Sequence, residues 1–195
     1  MGSAGSAGSA GSAGSAGAGP QPSSATPVVL KYLPSLHLQS PELAAQVQAM
    51  MAEKRLGAHI AARYPDTHNV RSDRALQAYV AALKSRFMKS AEPLAKVGFD
   101  NHLHVIHHAL GTHTTVSRVQ GNRLKTKREL RVASVFQHAP AALLEMIVVH
   151  ELAHLKQRDH DKAFYALCRH MVGDYHQREF DTRLWLTARE MEQDR

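Results

Sequence analysis

The stretch Leu143-Leu144-Glu145-Met146-Ile147-Val148-Val149-His150-Glu151-Leu152-Ala153-His154 decides how the rest of the chain is read. Its apolar run predicts a buried helix, and it ends in the pattern His-Glu-x-x-His. Residues four apart on an α-helix are offset by about 40°, so His150 and His154 project side by side toward one ion. Glu151 lies about 100° round, beside the ion, where its carboxylate can take a proton from a metal-activated water. A hydrolytic zinc site uses three protein ligands and keeps a fourth position open. His160 is the expected third ligand. It is about 240° away from His154 on a continuous helix, so the helix must end between them. The polar run Lys156-Gln157-Arg158-Asp159 is the expected place. Glu179, on a later helix, is the competing ligand.

The spacing of the three histidines is that of the metzincins, which carry Gly where this chain has Gln157. A ligand at Glu179 would instead resemble the gluzincins. The segment Val148-Val149-His150-Glu151-Leu152-Ala153-His154-Leu155, with His160 and Lys162-Ala163-Phe164-Tyr165, resembles the YgjP-like metallopeptidases, relatives of the SprT-like and WLM proteases. The likeness extends upstream through Ser117-Arg118 and Pro140, and downstream through Tyr175-His176-Gln177 and Glu179-Phe180-Asp181-Thr182-Arg183-Leu184-Trp185. Where many members of the wider family have Trp-Gly-Ser-Cys after the Ser-Arg pair, this chain has Val119-Gln120-Gly121, which looks like the YgjP branch itself. The resemblance implies an α+β, zincin-like domain with a small antiparallel sheet packed on the His-Glu-x-x-His helix and helices flanking it. It implies a zinc peptidase, although the YgjP branch also includes proteins named UTP pyrophosphatase.

Residues 1–19 repeat Gly, Ser and Ala without charge or bulk, and are read as a flexible linker. Residues 20–195 suffice for one domain with a sizeable core. The formal charge of +7 falls entirely outside the linker and predicts attraction to acidic partners, such as nucleic acid, nucleotides or acidic peptides. A single cysteine, Cys168, rules out an intramolecular disulfide and suits the cytoplasm. It falls in the apolar series Phe164, Leu167, Cys168, Met171 and is read as a core residue. No membrane span is expected, because Glu145 interrupts the longest apolar run.

Coarse periodicity divides the domain into a helical part at about 40–92, a sheet at about 96–136, and the catalytic and C-terminal helices at about 139–192. Ser40 and Pro41 start a helix read as running to Tyr64, with Gly57 as a weak point or end. A second begins near Ser72. Strands are expected at Leu103 to Ile106, His113 to Val119 and Leu130 to Phe136, with Gly121-Asn122 as a hairpin turn before the basic run Arg123 to Arg128. Asp161 suits the cap of the helix after His160, and Gly173 its end. The cluster His102, His104, His107, His108 and His113 matches no familiar ligand spacing and is read as surface histidines.

The leading expectation is a peptidase holding one zinc per chain, in which Glu151 activates water and Leu130 to Phe136 pairs with an extended peptide or protein substrate. A nucleotide pyrophosphatase is the rival, with Arg118, Arg123, Lys125, Lys127, Arg128 and Arg131 available to a triphosphate. A third reading is a nucleic-acid-binding domain with a structural zinc, against which an intact Glu151 argues. Arg118, Tyr175, His176 and Glu179 are candidates for substrate contacts or for groups supporting the ligands.

Overall fold

The computed structural model describes residues 32–33, 36, 40–101, 111–120 and 123–193, with only the backbone path at 111–120 and 123–127. The elements in chain order are α1 (Pro41–Ala52), α2 (Leu56–Arg63), α3 (Asp73–Phe87), β1 (Leu94–Asp100), β2 (Gly111–Gln120) and β3 (Arg123–Ala133). A 3-10 turn at Ser134–His138 leads to α4 (Ala141–Ala153), α5 (Lys162–Met171) and α6 (Tyr175–Gln193).

Pro41 opens α1, its fixed φ already helical. The single helix expected to reach Tyr64 is in fact two. The break falls at Lys54, whose φ of 57° lies in the left-handed region, while Gly57 sits inside α2 against Ala188 and Glu192 of α6. A Cβ built on Gly57 would meet Glu192 Oε1 at 3.4 Å and the Ala188 Cβ at 3.9 Å, ordinary van der Waals contact. Gly57→Ala should therefore stabilise the fold by about 0.5–1 kcal/mol, chiefly by lowering the entropy of the unfolded chain. Thermal melts check this, and a lowered midpoint would show that the space is not there.

Ser72 caps α3 through its Oγ, which accepts from the Ala75 N–H at 3.3 Å. Asp73 in the first turn accepts from the Phe99 N–H at 2.8 Å, fixing α3 to β1. Gly98 makes room for that carboxylate, because a Cβ there would lie 3.1 Å from it.

The sheet has the order β1-β3-β2. Only β2 and β3 are antiparallel, with His113 opposite Leu130. β1 runs parallel to β3, with Val97 opposite Leu130. The expectation of a wholly antiparallel sheet is thus corrected. Alternation of apolar residues fixes which face of a strand is buried and carries no information on its direction. β3 takes in the basic run Arg123 to Arg128 and stops at Ala133, where the strand expected through Phe136 gives way to the 3-10 turn. Both edges of β3 are paired, so it cannot receive a peptide by edge pairing as expected. The Leu103 to Ile106 reading, the Gly121-Asn122 turn and His102, His104, His107 and His108 lie outside the described residues.

At the centre is α4. Leu143, Leu144 and Met146 through Ala153 are all buried, as expected of a helix that is apolar all round. It contacts α3, α5, α6, β2 and β3. Each such aliphatic side chain contributes roughly 1.5–3 kcal/mol through burial. Glu145, the charge that interrupts the run, is held by Arg178 of α6 at 2.7 Å. The start of α4 is fixed by the Ala141 N–H donating to the Asp66 carbonyl at 2.9 Å. Among the described residues no helix is long and apolar enough to cross a membrane.

Candidate metal centre

His150 and Glu151 occupy the last turn of α4 and are 1% exposed. The helix ends at Ala153, earlier than the polar run suggested, with His154 as its C-terminal cap. No glycine makes this stop. The Ala153 carbonyl takes the N–H groups of Lys156 and Gln157 at 3.0 and 2.9 Å, and the Leu155 carbonyl takes Arg128 Nη1 from β3 at 2.7 Å. These bonds satisfy helix-end carbonyls otherwise left without partners and turn the chain back. The turn carries His160 over His150, and Asp161 then caps α5 by accepting from the Phe164 N–H at 2.8 Å.

The result is a cluster of imidazoles facing one point. His150 Nε2 lies 3.3 Å from His154 Nε2 and 3.1 Å from His160 Nε2. Among the described residues these three form the group that could hold a metal ion. Glu179, the competing ligand, accepts instead from Arg183 Nη2 at 3.1 Å, one turn along α6.

The outward ring nitrogens show why the cluster suits an ion. His154 Nδ1 is 2.9 Å from the Gln157 carbonyl, which can only accept, so Nδ1 carries the proton and Nε2 is left with its lone pair. His150 Nδ1 is 2.6 Å from the Tyr175 hydroxyl. Burial, reinforced by the neighbouring imidazoles, holds His150 well below the usual histidine pKa, and burial likewise lowers that of His154. Both are kept neutral, the form that ligates a metal. His160 is exposed, which opens the cluster to solvent on that side.

Both carboxylate oxygens of Glu151, the residue after His150, are buried and have no hydrogen-bond partner among the described residues. Burial pushes its pKa up to about 8. A buried, unpaired carboxylate is costly, and a cation with its water is the kind of neighbour that would offset that cost. The donor set, three imidazoles facing one point plus a buried carboxylate, fits a metal centre with an open position.

Phe164, read from the sequence only as a core residue, completes the surroundings together with Tyr165 and the candidates Tyr175 and His176. Phe164, fully buried, places its ring 5.0, 4.7 and 4.7 Å from those of His150, His154 and His160. Tyr165 lies 6.4 Å from the His160 ring and 5.1 Å from that of the exposed His176. Tyr175 is fully buried behind His150. Arg118 lies on β2 opposite Lys125 of β3. Arg128 and Arg131, expected to face a triphosphate, are already engaged. Arg128 holds the Leu155 carbonyl and Glu92, and Arg131 holds Asp100 and Glu129. The sequence carries no local signal for Arg128 as a helix stop, because its partner lies 27 residues away.

A family model described as YgjP-like, metallopeptidase domain matches residues 121–183. A protein of Escherichia coli (strain K12) named UTP pyrophosphatase is 57% identical over 146 residues, covering 75% of this chain and 87% of that protein. The chain belongs to the YgjP-like family. This places it among the metal-dependent hydrolases. The span matched by the YgjP-like model contains the three clustered histidines, Glu151, Phe164 and Tyr175. No solved structure matches the chain.

Proposed function

We propose that this chain is a zinc-dependent nucleoside triphosphate pyrophosphatase, with UTP the first substrate to test. The observation that carries the reading is a three-imidazole cluster flanked by an unpartnered Glu151, in a chain 57% identical over most of its length to a protein named UTP pyrophosphatase. His150, His154 and His160 would hold one zinc per chain. When bound, zinc supplies a Lewis acid and lowers the pKa of water to about 7.

Glu151 accepts a proton from the attacking water as general base. A new phosphorus–oxygen bond forms, the phosphoanhydride bond breaks, and diphosphate leaves with the electron pair. The open side at His160 admits the substrate, and the net charge of +7 favours a polyanion. With Arg128 and Arg131 engaged, Arg118, Arg123, Lys125 and Lys127 remain as the proposed phosphate contacts. The buried thiol of Cys168 suits a reducing cytosol, and a cytoplasmic location is part of this reading.

Peptide hydrolysis is the second reading, favoured by the family's description and by β2, an edge of the sheet that contacts α4. On that reading β2, rather than β3, pairs with the peptide. The third, a structural zinc in a nucleic-acid-binding domain, gives the buried Glu151 no role. The metal-loaded protein should be offered UTP, the other nucleoside triphosphates and unfolded casein, with Glu151→Gln as control. Diphosphate release that disappears in the variant supports the proposal. Casein cleavage alone, lost in the same variant, overturns it in favour of the peptidase.

A further inference from the structure

The metal reading leaves open what holds the buried ligand, His150, in the one tautomer that can bind. An imidazole ligates through an unprotonated nitrogen, so Nε2 must be bare and Nδ1 must carry the proton. For His154 a carbonyl enforces this. For His150 the partner is a hydroxyl, which can donate as well as accept.

Tyr175 comes from the first turn of α6, is fully buried, and has its ring within 19° of the His150 ring plane. Its oxygen is 2.6 Å from Nδ1, on the side of the imidazole away from the nitrogen shared with His154 and His160. A group so placed reaches the reaction only through His150. Among the polar groups that act on this hydroxyl are Glu179 on the same helix, Tyr165, and the buried thiol of Cys168 on α5, which is within hydrogen-bonding reach of it. Sulfur can accept a hydrogen bond from the hydroxyl, which leaves the oxygen's lone pairs free to accept from His150. If the hydroxyl instead donated to Nδ1, the ring proton would sit on Nε2, the nitrogen through which His150 must ligate.

We propose that Tyr175, with Cys168 behind it, is the positioning residue of the metal centre, accepting the Nδ1–H of His150 so that the Nε2 lone pair faces the ion. This rests on the metal reading above, and the order of bonds runs His150 Nδ1–H to Tyr175 Oη, then Tyr175 Oη–H to Cys168 Sγ. Groups that orient metal-bound histidines from behind commonly change affinity by about 10- to 100-fold when removed.

Two measurements test it without reference to turnover. In a chelator competition, Tyr175→Phe should bind zinc about 10- to 100-fold more weakly, Cys168→Val should lose a smaller part of the affinity, and Cys168→Ser should restore it. In the metal-free protein, nitrogen-15 NMR of the histidine rings should show His150 protonated at Nδ1 in the wild type and shifted toward Nε2 in Tyr175→Phe. Wild-type zinc affinity together with an unchanged tautomer in Tyr175→Phe overturns the proposal. If His150→Ala also keeps its zinc, the metal reading itself has failed. If His150→Ala loses it, only the role of Tyr175 has.

Discussion

Glu151→Gln should keep its metal and its fold while hydrolysing substrate at least ~100-fold more slowly, since an amide cannot accept the water's proton. The same substitution should make the metal-free protein more stable. The folded state raises the Glu151 pKa from 4.5 to about 8, so it favours the neutral carboxyl. Below the unfolded value there is no penalty. The cost of keeping the carboxyl protonated in the folded state grows as pH rises from 4.5 toward 8, and above 8 the full cost of the buried charge is reached. At about a kcal/mol or more per pKa unit, this amounts to a few kcal/mol. Melts of the chelator-treated proteins should favour the variant clearly at pH 8 and converge near pH 5. Equal midpoints at pH 8 would remove desolvation as the source of the effect, and undiminished turnover would remove Glu151 from the reaction.

Elemental analysis should find about one zinc per wild-type chain, none in His150→Ala and a severe loss in His160→Ala, because each removal leaves two of the three ligands. Glu179→Ala should retain the metal, since Glu179 is engaged by Arg183. That variant releases a guanidinium whose charge already acts on His150, so activity should change more than affinity. Full zinc in both histidine variants would sink the assignment. Tight binding in His160→Ala with loss in Glu179→Ala would move the third ligand to α6.

Much of this arrangement could be read in the chain because it is local. The meeting of His150 and His154 follows from helical periodicity, and that of His160 from a break in the helix just beyond. Asp161 signalled its cap for the same reason. What could not be read depends on distant partners. The helix stops at Ala153 with help from an arginine of β3. The parallel pairing of β1 depends on how the chain returns to the sheet, and no side-chain pattern records it. Phe164 and Cys168 were legible as core residues and are buried as expected. Their nearness to the metal cluster comes from the turn that lays α5 across it.

The early stop of α4 also bears on how the site assembles. From His154 to His160 the chain must close over six positions, against 25 for Glu179. On chain statistics the shorter span costs roughly 1 kcal/mol less to close. A centre whose three imidazoles lie within residues 150–160 can take shape as soon as α4 docks. The sheet can then vary in sequence without re-forming the imidazole cluster, provided position 128 keeps its grip on the Leu155 carbonyl.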